Sequence, residues 1–198
     1  MNQKKFIAVY LLAAAMILGL IMMMTSLWIP LKAIIAQELL EQSWEECEKT
    51  GQIKKPWPWA DHYAIAKLEA PSVGEEQIIL AGDSGRTLAF APGLNEKAIY
   101  QKDAALVISA HRDTHFRFLK NVAVGDPLTL KTHQQKRQFE IVDAVVVDAT
   151  KTRIQPEAFP EGLILVTCFP FDAMTAGGPL RYVVFAKEIK PQPKLYAM

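Results

Sequence analysis

The sequence lacks the motifs that usually announce a cofactor. There is no HExxH, no pair of closely spaced cysteines and no acidic calcium loop, so residue spacing marks out neither a zinc nor a calcium site. A glycine-rich phosphate loop and a dinucleotide fingerprint are also missing, which removes the usual grounds for a nucleotide cofactor. Charge of one sign is not in excess: 22 Lys and Arg stand against 21 Asp and Glu, so no nucleic-acid backbone is implied as a partner. The small basic cluster Lys131, Lys136 and Arg137 reads as a solvated strand turn. Internal repeats and low-complexity tracts are absent, and the 198 residues suit one compact domain with an appendage.

Charge disappears altogether from Phe6 to Leu31, where the centre reads LLAAAMILGLIMMM. About 20 apolar residues suffice to cross the hydrocarbon of a bilayer as a helix. Lys4 and Lys5 favour a cytoplasmic N-terminus, with Lys32 on the far side weakening the bias. A cleaved signal peptide is the competing reading. The apolar region is long for one, and Met24-Thr25-Ser26-Leu27-Trp28 offers no clean pair of small residues for cleavage. The expectation is an uncleaved anchor with Trp28 at the interface and everything after residue 32 outside the cytoplasmic membrane. Two exported cysteines could pair. A bridge would silence the reactive candidate described below, so both read as free thiols.

Residues 31–50 place Ile34, Ile35, Leu39, Leu40 and Trp44 at mostly helical spacing, which predicts an amphipathic helix continuing from the anchor and ending at Gly51. Lys55-Pro56-Trp57-Pro58-Trp59-Ala60 predicts a rigid extended connector that covers one end of the folded domain, because each proline biases its predecessor away from helix. Beyond Ala60 short apolar runs alternate with turn signals. Strands are predicted at 62–68, 77–80, 86–90, 105–110, 127–131, 137–148, 163–167 and 181–187. Turns are predicted at Gly82-Asp83-Ser84-Gly85, Ala91-Pro92-Gly93-Leu94-Asn95, Gly125-Asp126-Pro127 and Gly177-Gly178-Pro179, and a helical turn at 116–122. Eight short strands with little helix predict an all-β, closed or nearly closed barrel, which removes sheet edges without covering helices.

Three strand ends carry chemistry. Cys168 closes the run LILVTC, His111 closes LVISAH, and Arg181 opens RYVVFAK after the Gly-Gly-Pro turn. A thiol, an imidazole and a guanidinium are a nucleophile, an acid/base and an anion stabiliser, so acyl transfer through a thioester is the leading chemistry. Each also has an inert reading: Cys168 as a small buried hydrophobe, His111 as a strand end bonded to a loop carbonyl, Arg181 as a surface charge. The polarity of HRDTHFRFL favours a working His111 over a core continuation, with His115 ranking below it and His62 and His133 in ordinary contexts. Arg112 and Arg117 compete with Arg181, although Arg112 points away from His111 if the strand continues. His111, His115, Asp113 and Cys168 can be named as a ligand set, but no helical spacing supports them as one. Gly82-Asp83-Ser84-Gly85 lacks the strand-to-helix context of a nucleophile elbow, and Ser109 has no well-placed second histidine. Cys47, within EECEK, reads as an incidental helix residue.

Taken together, LVISAHRDTHFRFLKNVAVGDPLTL, LILVTC and RYVVFAKE resemble the sortases, membrane-anchored cysteine transpeptidases of bacterial surfaces. The resemblance covers residues 60–190 and implies an eight-stranded β-barrel with its catalytic residues around a groove at one edge. It implies Cys168 as nucleophile, His111 as acid/base, Arg181 as oxyanion stabiliser and Thr167 as a residue shaping the substrate site. GRTLAFAPG, KPWPWAD and the short insert between Cys168 and Arg181 look most similar to the compact sortases predicted in Gram-negative bacteria. The implied substrate is a protein with an LPxTG-like C-terminal sorting signal. The implied acceptor is an amine, peptidoglycan-linked amines being one class, and neither metal nor organic cofactor is required. The implied layout is a cytoplasmic tip and transmembrane anchor at 1–31, a juxtamembrane helix and connector at 32–59, a catalytic barrel at 60–190 and a tail at 191–198. The location is then the inner membrane, single-pass, with a periplasmic domain. An exported cysteine peptidase and a non-enzymatic membrane-tethered binding module remain as alternatives. An L,D-transpeptidase is disfavoured, since the SxGCxR-like nucleophile segment of that class is missing.

Overall fold

The computed structural model describes residues 3–95, 98, 103–175 and 177–190, so the tail expected at 191–198 lies outside the described residues. Helix α1 runs from Gln3 to Thr50 and passes through Pro30. Leu, Met and Ala dominate its first half, and these side chains cost the helix little entropy. Every described residue from Phe6 to Ile35 is exposed. Apolar side chains presented outward on a helix that satisfies its own backbone suit lipid as the solvent, and the segment is long and apolar enough to cross a membrane. The helix ends on Gly51 at φ 71°, whose N–H reaches the Cys47 carbonyl at 2.8 Å.

The chain divides into two compact units between Leu39 and Leu40, so the last turns of α1 belong to the folded domain. Leu40 and Trp44, one helical turn apart, pack with Ala64, Ile78, Leu80 and Ala91. Cys47 is buried on the same stretch. Lys67 fastens this contact by meeting Glu41 at 2.7 Å and Glu76 at 2.8 Å.

The domain is a closed eight-stranded barrel. Its strands are β1 (Ala64–Ala70), β2 (Glu75–Ala81), β3 (Gly93–Leu94), β4 (Leu106–Ser109), β5 (Pro127–Thr132), β6 (Lys136–Asp148), β7 (Gly162–Cys168) and β8 (Leu180–Glu188). The ring order is β1-β2-β3-β4-β7-β8-β6-β5, with β5 returning to β1. Among the described strands only β2/β3 and β4/β7 pair in parallel. Alternation along each strand sends one set of side chains inward, including Leu68, Ile79, Ile108, Leu130, Phe139 and Leu165. The 3-10 helix Arg117–Asn121 occupies the predicted helical turn and buries Phe118 and Leu119.

The strand count agrees with expectation, but one strand is not where the sequence pattern put it. The segment predicted as a strand at 86–90 contains helix α2 (Gly85–Leu88). Its cap explains the change: the Ser84 hydroxyl accepts the Thr87 N–H at 3.3 Å, which makes the short helix the better local solution. The missing strand is β3, inside the predicted turn at 91–95. Gly93 makes this possible, because a Cβ there would stand 2.2 Å from the Gly82 carbonyl oxygen. The Pro/Trp connector also differs from expectation. It turns at Trp57–Ala60, with the Ala60 N–H bonded to the Trp57 carbonyl at 3.0 Å. Trp57 rests on His62 and Phe90, and Phe90 in turn packs against the cluster of Leu40, Trp44, Ile78 and Leu80, while Trp59 is 80% exposed.

Candidate active site

Strand parity brings the three candidate residues together. On β7, Leu163 and Leu165 enter the barrel core, whereas Ile164 and Val166 belong to the outer face. The same alternation puts Thr167 inside and Cys168 outside. On β8, Val184 and Ala186 point in and Val183 and Phe185 point out, which gives Arg181 the outer face. Cys168 and Arg181 are direct register partners in this antiparallel pair. On β4 and just past its end, Leu106, Ile108 and Ala110 are core residues and Val107 is outward, so the same alternation carried on to His111 puts it on the outward set. Burial agrees, since His111 is exposed and Arg112 is buried.

Register supplies the other coordinate. β4 and β7 run in parallel with Ser109 opposite Val166, and the ladder continues through Ala110 N–H to the Val166 carbonyl at 3.2 Å. Two residues further on, His111 stands level with Cys168. Three adjacent strand ends thus present imidazole, thiol and guanidinium positions on one face at one end of the barrel. Below them an apolar strip continues along that face, formed by Val107, Ile164, Val166, Val183 and Phe185, with Phe159 from the β6–β7 loop packed against it.

The side chains are held differently. Cys168 is half-buried and free. Arg181 donates through Nη1 to the carbonyls of Gly178 at 2.7 Å and Leu180 at 2.8 Å, which seats its guanidinium at the turn entering β8. Thr167 is buried and its hydroxyl donates to the Ala110 carbonyl at 2.8 Å, tying the end of β7 to that of β4. His115, the lesser histidine candidate, lies 3.1 Å through Nδ1 from Gln77 Oε1. Burial, and next the charge of His111, hold the His115 pKa below the ordinary histidine value. His62, read from sequence as ordinary, is buried with neither ring nitrogen hydrogen-bonded.

Arg112 was a rival of Arg181 in the sequence. The structure buries it on the side opposite His111, with its side chain 3% exposed. Its Nε and Nη2 grip Asp113 at 2.7 and 2.8 Å, and its Nη1 and Nη2 reach the carbonyls of Pro170 at 2.6 Å and Ala173 at 3.2 Å. The hydrogen bond to Asp113 raises the guanidinium pKa and lowers that of the carboxyl. Sequence reasoning missed this fastening; the only signal for it was the parity of residue 112. Among the described residues no group of three or more His, Cys, Asp or Glu side chains is placed to hold a metal ion. Chemically, the arrangement offers a thiol nucleophile flanked by a proton carrier and a fixed cation.

A family model for the sortase domain matches residues 68–189. Sortase D of Bacillus subtilis (strain 168) is 33% identical over 126 residues, and the match spans 62% of this chain and 62% of that relative's length. Among solved structures, a sortase D5 transpeptidase of Clostridium perfringens is similar at 24% identity and TM-score 0.58, covering 79% of this chain and 99% of that one. Sortase A from Corynebacterium diphtheriae is similar at 22% identity and TM-score 0.55, covering 69% and 65% of the two chains. At these identities the structures speak for the fold, a closed barrel of the same kind. With the family model matching well over half of its length, the chain belongs to the sortase family.

Proposed function

We propose that this chain is a membrane-anchored cysteine transpeptidase that cleaves an LPxTG-like C-terminal sorting signal and passes the protein to an amine. The observation that carries the reading is the shared face and level of His111, Cys168 and Arg181 at three adjacent strand ends. The Cys168 thiolate adds to the carbonyl carbon of a Thr–Gly-type bond, and Arg181 stabilises the oxyanion that forms. Collapse breaks the C–N bond, and the imidazolium of His111 protonates the departing amine. The thioester is then attacked by an acceptor amine, whose proton returns to His111, and the thiolate leaves as the new amide forms. Protons and electron pairs balance without a cofactor. The half-buried members of the apolar strip below Cys168, Val107, Val166 and Phe185, receive the side chains of the sorting signal, and Thr167 shapes the site through its bond to Ala110.

Residues 1–31 form the anchor, with Lys4 and Lys5 on the cytoplasmic side, and 60–190 form the catalytic barrel. The short Cys168–Arg181 insert and the KPWPWAD segment support the compact Gram-negative group within the family, and hence a periplasmic domain on the inner membrane. Peptidoglycan-linked amines are the acceptor class this location offers. The test is to incubate the full-length protein in detergent with a series of LPxTG-like peptides and a small primary amine, and to identify the products by intact mass. A product carrying the added amine, absent with Cys168→Ala, establishes transfer. Free acid as the sole product across several amines replaces this reading with a peptidase. A Cys168→Ala protein that still yields the amine product removes Cys168 as the nucleophile.

A further inference from the structure

Beneath the candidate site one buried guanidinium joins the two parallel strand ends. Arg112 follows His111 in the turn just beyond β4, yet its reach is to the segment after Cys168, where it donates to the carbonyls of Pro170 and Ala173. Asp113 takes two more of its donors in a bidentate grip. A charge buried this deeply is costly unless its donors are met, and here the acceptors are main-chain atoms of the element that carries the nucleophile. The segment is pinned from its other side as well. Phe171 and Tyr182 meet edge to face at 5.2 Å, and both pack on the barrel core. After the hydrogen bond and charge of Asp113, the proximity of Cys168 and Asp172 also helps raise the guanidinium pKa.

We propose that Arg112 is a positioning residue of this site. By clamping the 170–173 turn to the strand end that bears His111, it fixes the separation of imidazole and thiol. This rests on the transpeptidase reading above. The planar fork is essential, since a lysine ammonium has no bidentate geometry with which to grip Asp113 and meet both carbonyls. Thr167 supplies one tie between the strand ends, through Ala110, and Arg112 holds the chain beyond it.

The experiment needs no sorting signal. Full-length protein in detergent is treated with iodoacetamide, and the alkylation rate of Cys168 is read by peptide mass in four forms: wild type, His111→Ala, Arg112→Ala and the double variant. An imidazolium beside a thiol promotes the reactive thiolate, so His111→Ala is expected to slow alkylation about tenfold when Arg112 is present. In the Arg112→Ala background the same change is expected to matter less than about twofold, because the pair is no longer held together. A residue that serves stability alone would lower the melting temperature and leave the His111 effect whole, and that result overturns the proposal. If His111→Ala has no effect even with Arg112 in place, the His–Cys pairing fails, and the clamp falls with it. Should Arg112→Ala fail to fold by circular dichroism, Arg112→Lys carries the same cycle. There the His111 effect is expected to shrink to about threefold, and an undiminished tenfold effect counts against the clamp.

Discussion

The two cysteines of this chain are both free, and they occupy opposite kinds of surroundings. Cys47 lies on the last turns of α1, only 1% exposed, one helical turn beyond Trp44. Burial, and after it the charge of Glu48, push its thiol up, which favours the inert protonated form. Cys168 ends β7 half-buried, with Arg181 across the ladder and His111 level with it on the neighbouring strand. Local polarity does not make the distinction, since the covered Cys47 lies in EECEK and the half-buried Cys168 in LVTCF; what marks Cys168 in the sequence is its place at a strand end. Position in the fold decides: a helix face pressed onto a sheet hides its thiol. A strand end on the outer face of a barrel keeps its thiol within reach of solvent and of two neighbouring strand ends.

The sharpest break in that comparison is to exchange each thiol for a methyl group. Cys168→Ala is expected to abolish acyl-enzyme formation, a loss of about 10⁴-fold or more in transfer, measured by intact mass and product analysis. His111→Ala and Arg181→Ala come next, each lowering turnover by about 10²–10³-fold without unfolding the barrel. Near-normal turnover in either variant would remove that residue from the site.

Smaller effects probe the Cys47 side, where packing replaces chemistry. Trp44→Ala should cost about 3–4 kcal/mol of stability in urea unfolding, since a large buried side chain leaves a cavity against Leu80 and Ala91. The turnover of the fraction still folded should be unchanged. His62 should tune the same region with pH. Burial holds its pKa below the ordinary value, with Asp61 opposing in the smaller sense. Its contribution is therefore complete above the unfolded histidine pKa of about 6.5 and is lost as pH falls from there through the folded value. Melting temperatures measured downward from neutral pH should fall in the wild type and flatten in His62→Phe; parallel curves would show that His62 is not the titrating group. Least of all, Cys47→Ala should leave transfer within about twofold of wild type. A large loss there would mean that the covered thiol takes part in the reaction.

Much of the barrel was legible because alternation is a local signal. LILVTC and RYVVFAK each show which residues share a face, and seven of the strand regions follow directly from such runs. The third strand was not legible. Gly93 and Leu94 have no alternating neighbours, and their pairing to Leu80 and Ser109 depends on partners far along the chain. Conversely, the alternation in GRTLAF was real but outweighed by the Ser84 cap. At the site, the strand ends announced Cys168, His111 and Arg181, while the task of Arg112 did not show, because its partners are the carbonyls of Pro170 and Ala173 and backbone atoms leave no trace in side-chain identity.

By itself, then, the sequence determined the apolar segment fit to span a membrane, the all-β class and the three chemical groups. Each of these is written in residue type and short-range period, and none needs a distant partner to be read. The tertiary structure alone decided that the end of α1 is part of the domain, that Cys47 is covered, and that His111 and Cys168 stand at one level. Parallel pairing of β4 with β7 sets that level. A one-residue slip would turn one strand's outward side chains inward, and only the closed ring, with every strand's register fixed by its neighbours, holds the slip in check.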